Sequence, residues 1–366
     1  MIESAQFHPD WVSPPGETIE DLLSERGWTQ VELAERMGTT KKHVNDLVKG
    51  RAAITPGSAT SLARVLGATT DFWLVREAQY RAALSQREAV QAAKADADWL
   101  KELPFGWMQN QGWVGPARGQ GEKVLEALRF FGVASVEAWR AHYGRPLTAF
   151  RSSEKFEKKT GSLAAWLRRA ELEAADIECA AYDKAKFKQA LIDLRELTSE
   201  GDPSVFVPRL VETCAAAGVA VVFVPHPTKC PVSGATKWLT TDKALLVLSL
   251  RHKTNDHLWF TFFHEAGHLL LHGKKLLFIE GIDGLDEIQE DQADRFSRDT
   301  LIAPNDARRL RQLAMRGRVS KAQVRQFAAA IGVAPGIVVG RMQKENWLPW
   351  THMNDLKVRY AWVGEG

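Results

Sequence analysis

His264 and His268 stand four residues apart with Glu265 between them, an H-E-x-x-H pattern inside the otherwise apolar stretch 260–272. At helical spacing Thr261, His264, Glu265, His268 and His272 fall on one stripe, while Trp259, Phe262, Phe263, Ala266, Leu269 and Leu270 cover the rest. Polar groups on a buried helix need partners, and here they are confined to one face. Imidazoles four residues apart are neighbours, so His264 and His268 can bind one Zn²⁺. Glu265 is then placed to take a proton from water polarised by the metal. The bland alternative is a set of core histidines satisfied by ordinary hydrogen bonds.

A catalytic zinc uses three protein ligands and keeps one position open. His272 lies eight residues after His264, about 12 Å along a helix axis, so both cannot reach one ion. It is expected at the rim, beside a ligand rather than on the metal. Downstream, residues 290–296 read as helical, with Ile288, Ala293 and Phe296 apolar. Glu290 and Asp294 share a face there, so Glu290 can complete the zinc site while Asp294 holds the ring N–H of a ligand histidine. Glu287, Glu280 and Asp286 compete with Glu290, and a solvated acidic face is the alternative for the whole run.

His264-Glu265-Ala266-Gly267-His268 after Phe260-Thr261, then Glu290-Asp291-Gln292-Ala293-Asp294-Arg295-Phe296, then Leu301-Ile302-Ala303-Pro304 together resemble the ImmA/IrrE-type zinc peptidases. The resemblance covers roughly residues 204–305. It implies His264, His268 and Glu290 as metal ligands and Glu265 as general base. Ser297 stands where that family usually has alanine, and Ala266 occupies a variable position.

A second motif lies near the N-terminus. Residues 18–26 read as a helix ended by Gly27, and Thr29-Gln30-Val31-Glu32 as a capping box opening a second helix that runs to Met37. Thr39 or Thr40 caps a third, with Val44, Leu47 and Val48 inward and Lys41, Lys42, Asn45 and Lys49 outward. Two short helices around a glycine turn, the second bearing cations and an amide, read as a helix-turn-helix with its recognition helix. A solvated lysine face is the competing reading. The segments 29–38, 44–51, 54–55, 62–67 and 72–74 resemble the HigA branch of the Xre-type DNA-binding domains. That resemblance implies that Gln30, Lys41, Lys42 and Asn45 face DNA, with Lys49 and Arg51 on phosphates. Lys and Arg on phosphate give salt-sensitive affinity, whereas Asn and Gln can read adenine edges.

The chain has 366 residues, long enough for two or three domains, and a net charge of +3 that argues for no nucleic-acid partner by itself. No apolar run reaches membrane-spanning length and the first residues lack a signal sequence, so a cytoplasmic protein with no membrane partner is expected. Cys179, Cys214 and Cys230 are odd in number and scattered, which disfavours a disulfide framework. Helical periodicity marks residues 122–131, 135–142, 162–182 and 184–197, punctuated by Gly112, Gly115-Pro116, Gly144 and Pro146. Trp99, Trp107, Trp113, Trp139 and Trp166 are expected in cores. A helix over 206–217 and strands over 219–224 and 244–250 follow. Residues 234–239 read as an edge strand to which a peptide could add. Helices over 305–315, 320–331 and 334–344 end the pattern.

The expected fold is mainly α with a smaller α+β part: a helix-turn-helix domain over 1–85, a helical connector or dimerisation region over 86–202, and a zincin-like metallopeptidase domain with a small sheet over 203–366. Two function classes follow. One is a dimeric regulator that binds operator DNA and uses Zn²⁺ to hydrolyse a repressor, an antitoxin or itself. The other is a non-catalytic antitoxin or repressor whose peptidase-like part only binds a partner, such as a cognate toxin, or a ligand.

Overall fold

The computed structural model describes residues 13–144, 157–227, 230, 232–274, 278–279 and 287–362. Pro146, Glu280 and Asp286 lie outside them. Two compact units divide the chain, the first drawing on Met1–Ala97 and Arg118–Leu125, the second on Asp98–Ala117 and Glu126–Gly366.

In the first unit, threonines turn extended backbone into helix. Thr29, Thr40, Thr55 and Thr69 each accept a hydrogen bond from an N–H in the first turn of the helix that follows. The helices are α1 (Pro15–Arg26), α2 (Gln30–Met37), α3 (Lys41–Val48), α4 (Pro56–Leu66) and α5 (Thr70–Ala93). Gly27 and Gly38 end α1 and α2 at φ 66° and 65°, a left-handed conformation that glycine adopts without a Cβ clash. Ile19, Leu33, Val44, Leu47, Leu62 and Trp73 close one core.

Further along are three short or medium helices, α6 (Phe105–Asn110), α7 (Gln120–Phe131) and α8 (Val136–Trp139). Trp99, Phe131 and Trp139 pack edge to face or tilted, with ring centroids 5.3–6.2 Å apart. The second unit continues with α9 (Glu157–Ala175), α10 (Lys184–Leu194) and α11 (Pro203–Ala215). It then carries β1 (Val219–Phe223), β2 (Gly234–Trp238), β3 (Ala244–Leu248), α12 (Asn255–Leu271) and β4 (Phe278–Ile279). Helices α13 (Glu287–Leu301), α14 (Pro304–Met315), α15 (Lys321–Ile331) and α16 (Pro335–Lys344) follow.

The sheet order is β1-β3-β2-β4, with β1 and β3 parallel and the other neighbours antiparallel. β3 is buried along its whole length, as its unbroken Ala-Leu-Leu-Val-Leu run requires. β2 is not an edge: Ala235 and Thr236 pair with Ile279 and Phe278 of β4, so the backbone expected to receive a peptide is already paired there.

Packing is continuous across residue 202. Phe187, Leu191, Leu194 and Leu197 share one core with Val219, Leu246 and Phe262. Trp166 of α9 donates to the Val224 carbonyl at 3.0 Å. Residues 157–199, read from sequence as part of a connector, therefore belong to the body that holds the sheet. The helix expected over 162–182 stops at Ala175 because the Lys243 ammonium takes the Ala174 and Ile177 carbonyls, both at 2.6 Å. Asp183 then caps α10 through the Ala185 and Lys186 amides.

The start of α12 is fastened by the last described segment. Lys357 pairs with Asp256 at 2.6 Å, both side chains 7% exposed. The Val358 backbone makes two hydrogen bonds with Asn255, its carbonyl accepting from the Asn255 N–H at 2.9 Å and its N–H donating to the side-chain Oδ1 at 3.1 Å. Tyr360 packs on Phe206 with ring centroids 5.6 Å apart. Among the described residues no single helix is long and apolar enough to cross a membrane.

Candidate metal centre and nucleic-acid interface

Helix α12 is buried from Leu258 to Leu270 on nearly every side, including His264, Glu265 and His268. Helix α13 lies against it because Gly267 has no side chain: a Cβ there would meet Phe296 at 3.1 Å and the Ala293 backbone at 3.3 Å. Ser297, fully buried on α13, donates to the Phe260 carbonyl at 2.8 Å, which uses the hydroxyl that an alanine would lack. This close approach carries Glu290 and Asp294 to the histidines.

The donor atoms converge. His264 Nε2 and His268 Nε2 lie 3.0 Å apart, and each is 3.3 Å from a Glu290 carboxylate oxygen. His264 Nδ1 is 2.9 Å from Asp294 Oδ1. His268 Nδ1 is 3.0 Å from His272 Nδ1, whose other nitrogen is 3.0 Å from Gln292 Oε1.

These partners assign the protons. Asp294 accepts only if His264 carries its proton on Nδ1. Gln292 Oε1 accepts from His272 Nε2, which leaves His272 Nδ1 to accept from His268 Nδ1–H. Both ligand histidines then present bare Nε2 lone pairs to each other and to a carboxylate, an arrangement that calls for a cation between them. Donors 3.0–3.3 Å apart are spaced as three ligands about 2 Å from one tetrahedral zinc would be. His264, His268 and Glu290 thus fit a metal, and Asp294 and His272 fix the orientation of the two rings. Glu287 is exposed and has no part in this cluster.

The electrostatics agree. Burial works against the Glu290 charge, but once acid protonates His264 and His268 in the metal-free protein, their hydrogen bonds and charge more than offset it and hold the carboxyl at about 2. Burial lowers the His268 value and keeps the ring neutral, although Glu290 pulls the other way. Glu265, with no exposed surface, sits against β2 at Gly234, where a Cβ would fall 2.8 Å from Glu265 Cγ and 2.6 Å from Thr261 Cγ2. The sequence pattern gave no sign of Gly234 or Gln292, because both enter through tertiary approach rather than through spacing along α12.

In the first unit, Lys41 and Lys42 are exposed at the start of α3 and Lys49 at its end, while Asn45 is half-buried. Lys41, Asn45 and Lys49 repeat every four residues and so lie along one face, beside the strip formed by the buried Val44, Leu47 and Val48. Gln30 opens α2 and is half-buried. Arg51 is exposed but pairs with Asp46 at 2.8 Å, an exposed ion pair that a phosphate can displace at little cost.

No curated protein matches the chain. Residues 19–73, running from α1 into the start of α5, match the family described as Helix-turn-helix. The N-terminal part is therefore a helix-turn-helix domain of a DNA-binding regulator.

Proposed function

We propose that this regulator also carries a zinc-dependent endopeptidase centre, with His264, His268 and Glu290 as ligands and a protein as substrate. The observation that carries the reading is the convergence of two histidine lone pairs and one carboxylate on a single point, each histidine held from behind by a hydrogen-bond acceptor. A zinc bound there supplies Lewis acidity to water and to a peptide carbonyl. Glu265, next to a ligand and screened from solvent, takes the proton of the attacking water and returns it to the amine that leaves as the peptide bond breaks. A repressor, an antitoxin or the chain itself is the proposed substrate. At the other end, Gln30 and Asn45 read base edges while Lys41, Lys42, Lys49 and Arg51 hold phosphates, in a homodimer spanning two half-sites.

The test uses purified protein and co-expressed genomic neighbours. Glu265→Gln should keep its zinc by elemental analysis and lose cleavage by at least about a hundredfold, the scale of a lost proton-transfer group. Cleavage at the wild-type rate would remove Glu265 from the chemistry and leave the partner-binding alternative.

A further inference from the structure

One turn before His264, α12 also lines a cavity of about 260 Å³ that the peptidase reading does not use. Its apolar wall is Phe260, Leu301, Ile302 and Ile337, the last three almost fully buried. Three permanent cations line it, Arg298, Arg341 and Lys344, against a single carboxylate, Asp256. That carboxylate is already engaged by Lys357 at 2.6 Å.

Arg341 is the focal group. Its Nη2 pairs with Glu345 at 3.0 Å, but its Nε and Nη1 are buried and have no hydrogen-bond partner among the described residues. A largely buried guanidinium with two N–H groups out of reach of water and of any acceptor is costly unless something accepts from it. Burial lowers the Arg341 value; Glu345 raises it, and the neighbouring Arg298 charge lowers it further. Arg298 and Arg341 thus stand close enough to repel one another, and an anion placed between them would relieve that repulsion.

We infer that this cavity binds a small amphipathic anion, an apolar body against Phe260, Leu301, Ile302 and Ile337 with one carboxylate or phosphate headgroup on Arg341, Arg298 and Lys344. The mostly apolar lining sets the body, and the planar fork of Arg341 sets the head, since guanidinium matches both oxyanions in a two-point geometry. The volume suits a chain of about eight carbons with its head, a little below the range of about 300–1,000 Å³ usual for pockets that take drug-sized ligands.

Isothermal titration of the full chain with octanoate, octyl phosphate, octanol and octylamine tests this. At least one anion should bind at a single saturable site, and the tighter of the two names the headgroup. Octanol and octylamine should bind at least about tenfold more weakly, the effect of one charge-assisted hydrogen bond. Arg341→Gln should abolish the difference between anion and alcohol. Because Arg341 is also paired with Glu345, the half-buried Arg298→Gln and the exposed Lys344→Gln serve as further variants, their folding checked by circular dichroism. Each should weaken the anion severalfold and leave octanol unchanged. Absence of saturable binding by both anions, equal binding of octanol, or unchanged anion affinity in both the Arg298 and Lys344 variants overturns the inference.

Discussion

Replacing His268 by Ala removes one of three converging donors and should empty the site of zinc, measured as metal content after dialysis against chelator. Asp294→Asn is the subtler experiment. The Oδ1 that accepts from His264 Nδ1 at 2.9 Å loses its charge, and metal affinity should fall about 10- to 100-fold while the fold persists. Acid should act through the same residues. His268 is held below its ordinary 6.5, so the unfolded chain protonates first and stability is lost as pH falls below 6.5. Glu290 is held at about 2 against an ordinary 4.5, so its contribution is complete above 4.5 and disappears as pH falls toward 2. Urea unfolding of metal-free protein from pH 7.5 to 3 should show both limbs. His268→Gln should flatten the upper limb and Glu290→Gln the lower; an unaltered profile in both variants would mean the cluster does not set the acid response.

At the scale of elements, the glycine of β2 governs how α12 meets the sheet. Gly234→Ala would drive a methyl against Glu265 and Thr261, displacing the carboxylate. A shift of about 1 Å at a reacting group costs roughly a hundredfold in rate. The variant should therefore retain zinc and lose cleavage, a separation read by assaying both on one preparation. This residue also marks where the sequence ceases to speak. The stripe of His264, Glu265 and His268, and the i, i+4 pair Glu290 and Asp294, were legible because helical periodicity alone fixes them. The caps at Thr29 and Thr40 were legible for the same local reason. β4 was not, since two residues of strand leave no periodic signal, and it is what makes β2 an interior strand. Nor was the end of α9, which is set by Lys243, distant in sequence.

At the scale of the molecule, the helix-turn-helix core from Ile19 to Trp73 is complete within the first unit. Residues 1–97 should then fold cooperatively alone and bind operator DNA. Lys42→Ala should reduce the salt slope of binding by about 1, whereas Asn45→Ala should change which operators are preferred. Footprints unchanged in both would take α3 out of the interface. The second unit differs in the order in which it can be completed. Asp256, at the start of the helix that carries the histidines, has its counter-charge in Lys357. On a ribosome adding about 5–20 residues per second, Lys357 emerges on the order of 10 s after Asp256. Throughout that interval the carboxylate cannot be buried without an uncompensated charge, so the start of this helix cannot reach its native burial. The pairing thus works as a delay built into synthesis: a growing chain can finish its DNA-binding part early, whereas the helix that carries His264 and His268 settles only after Lys357 has been made.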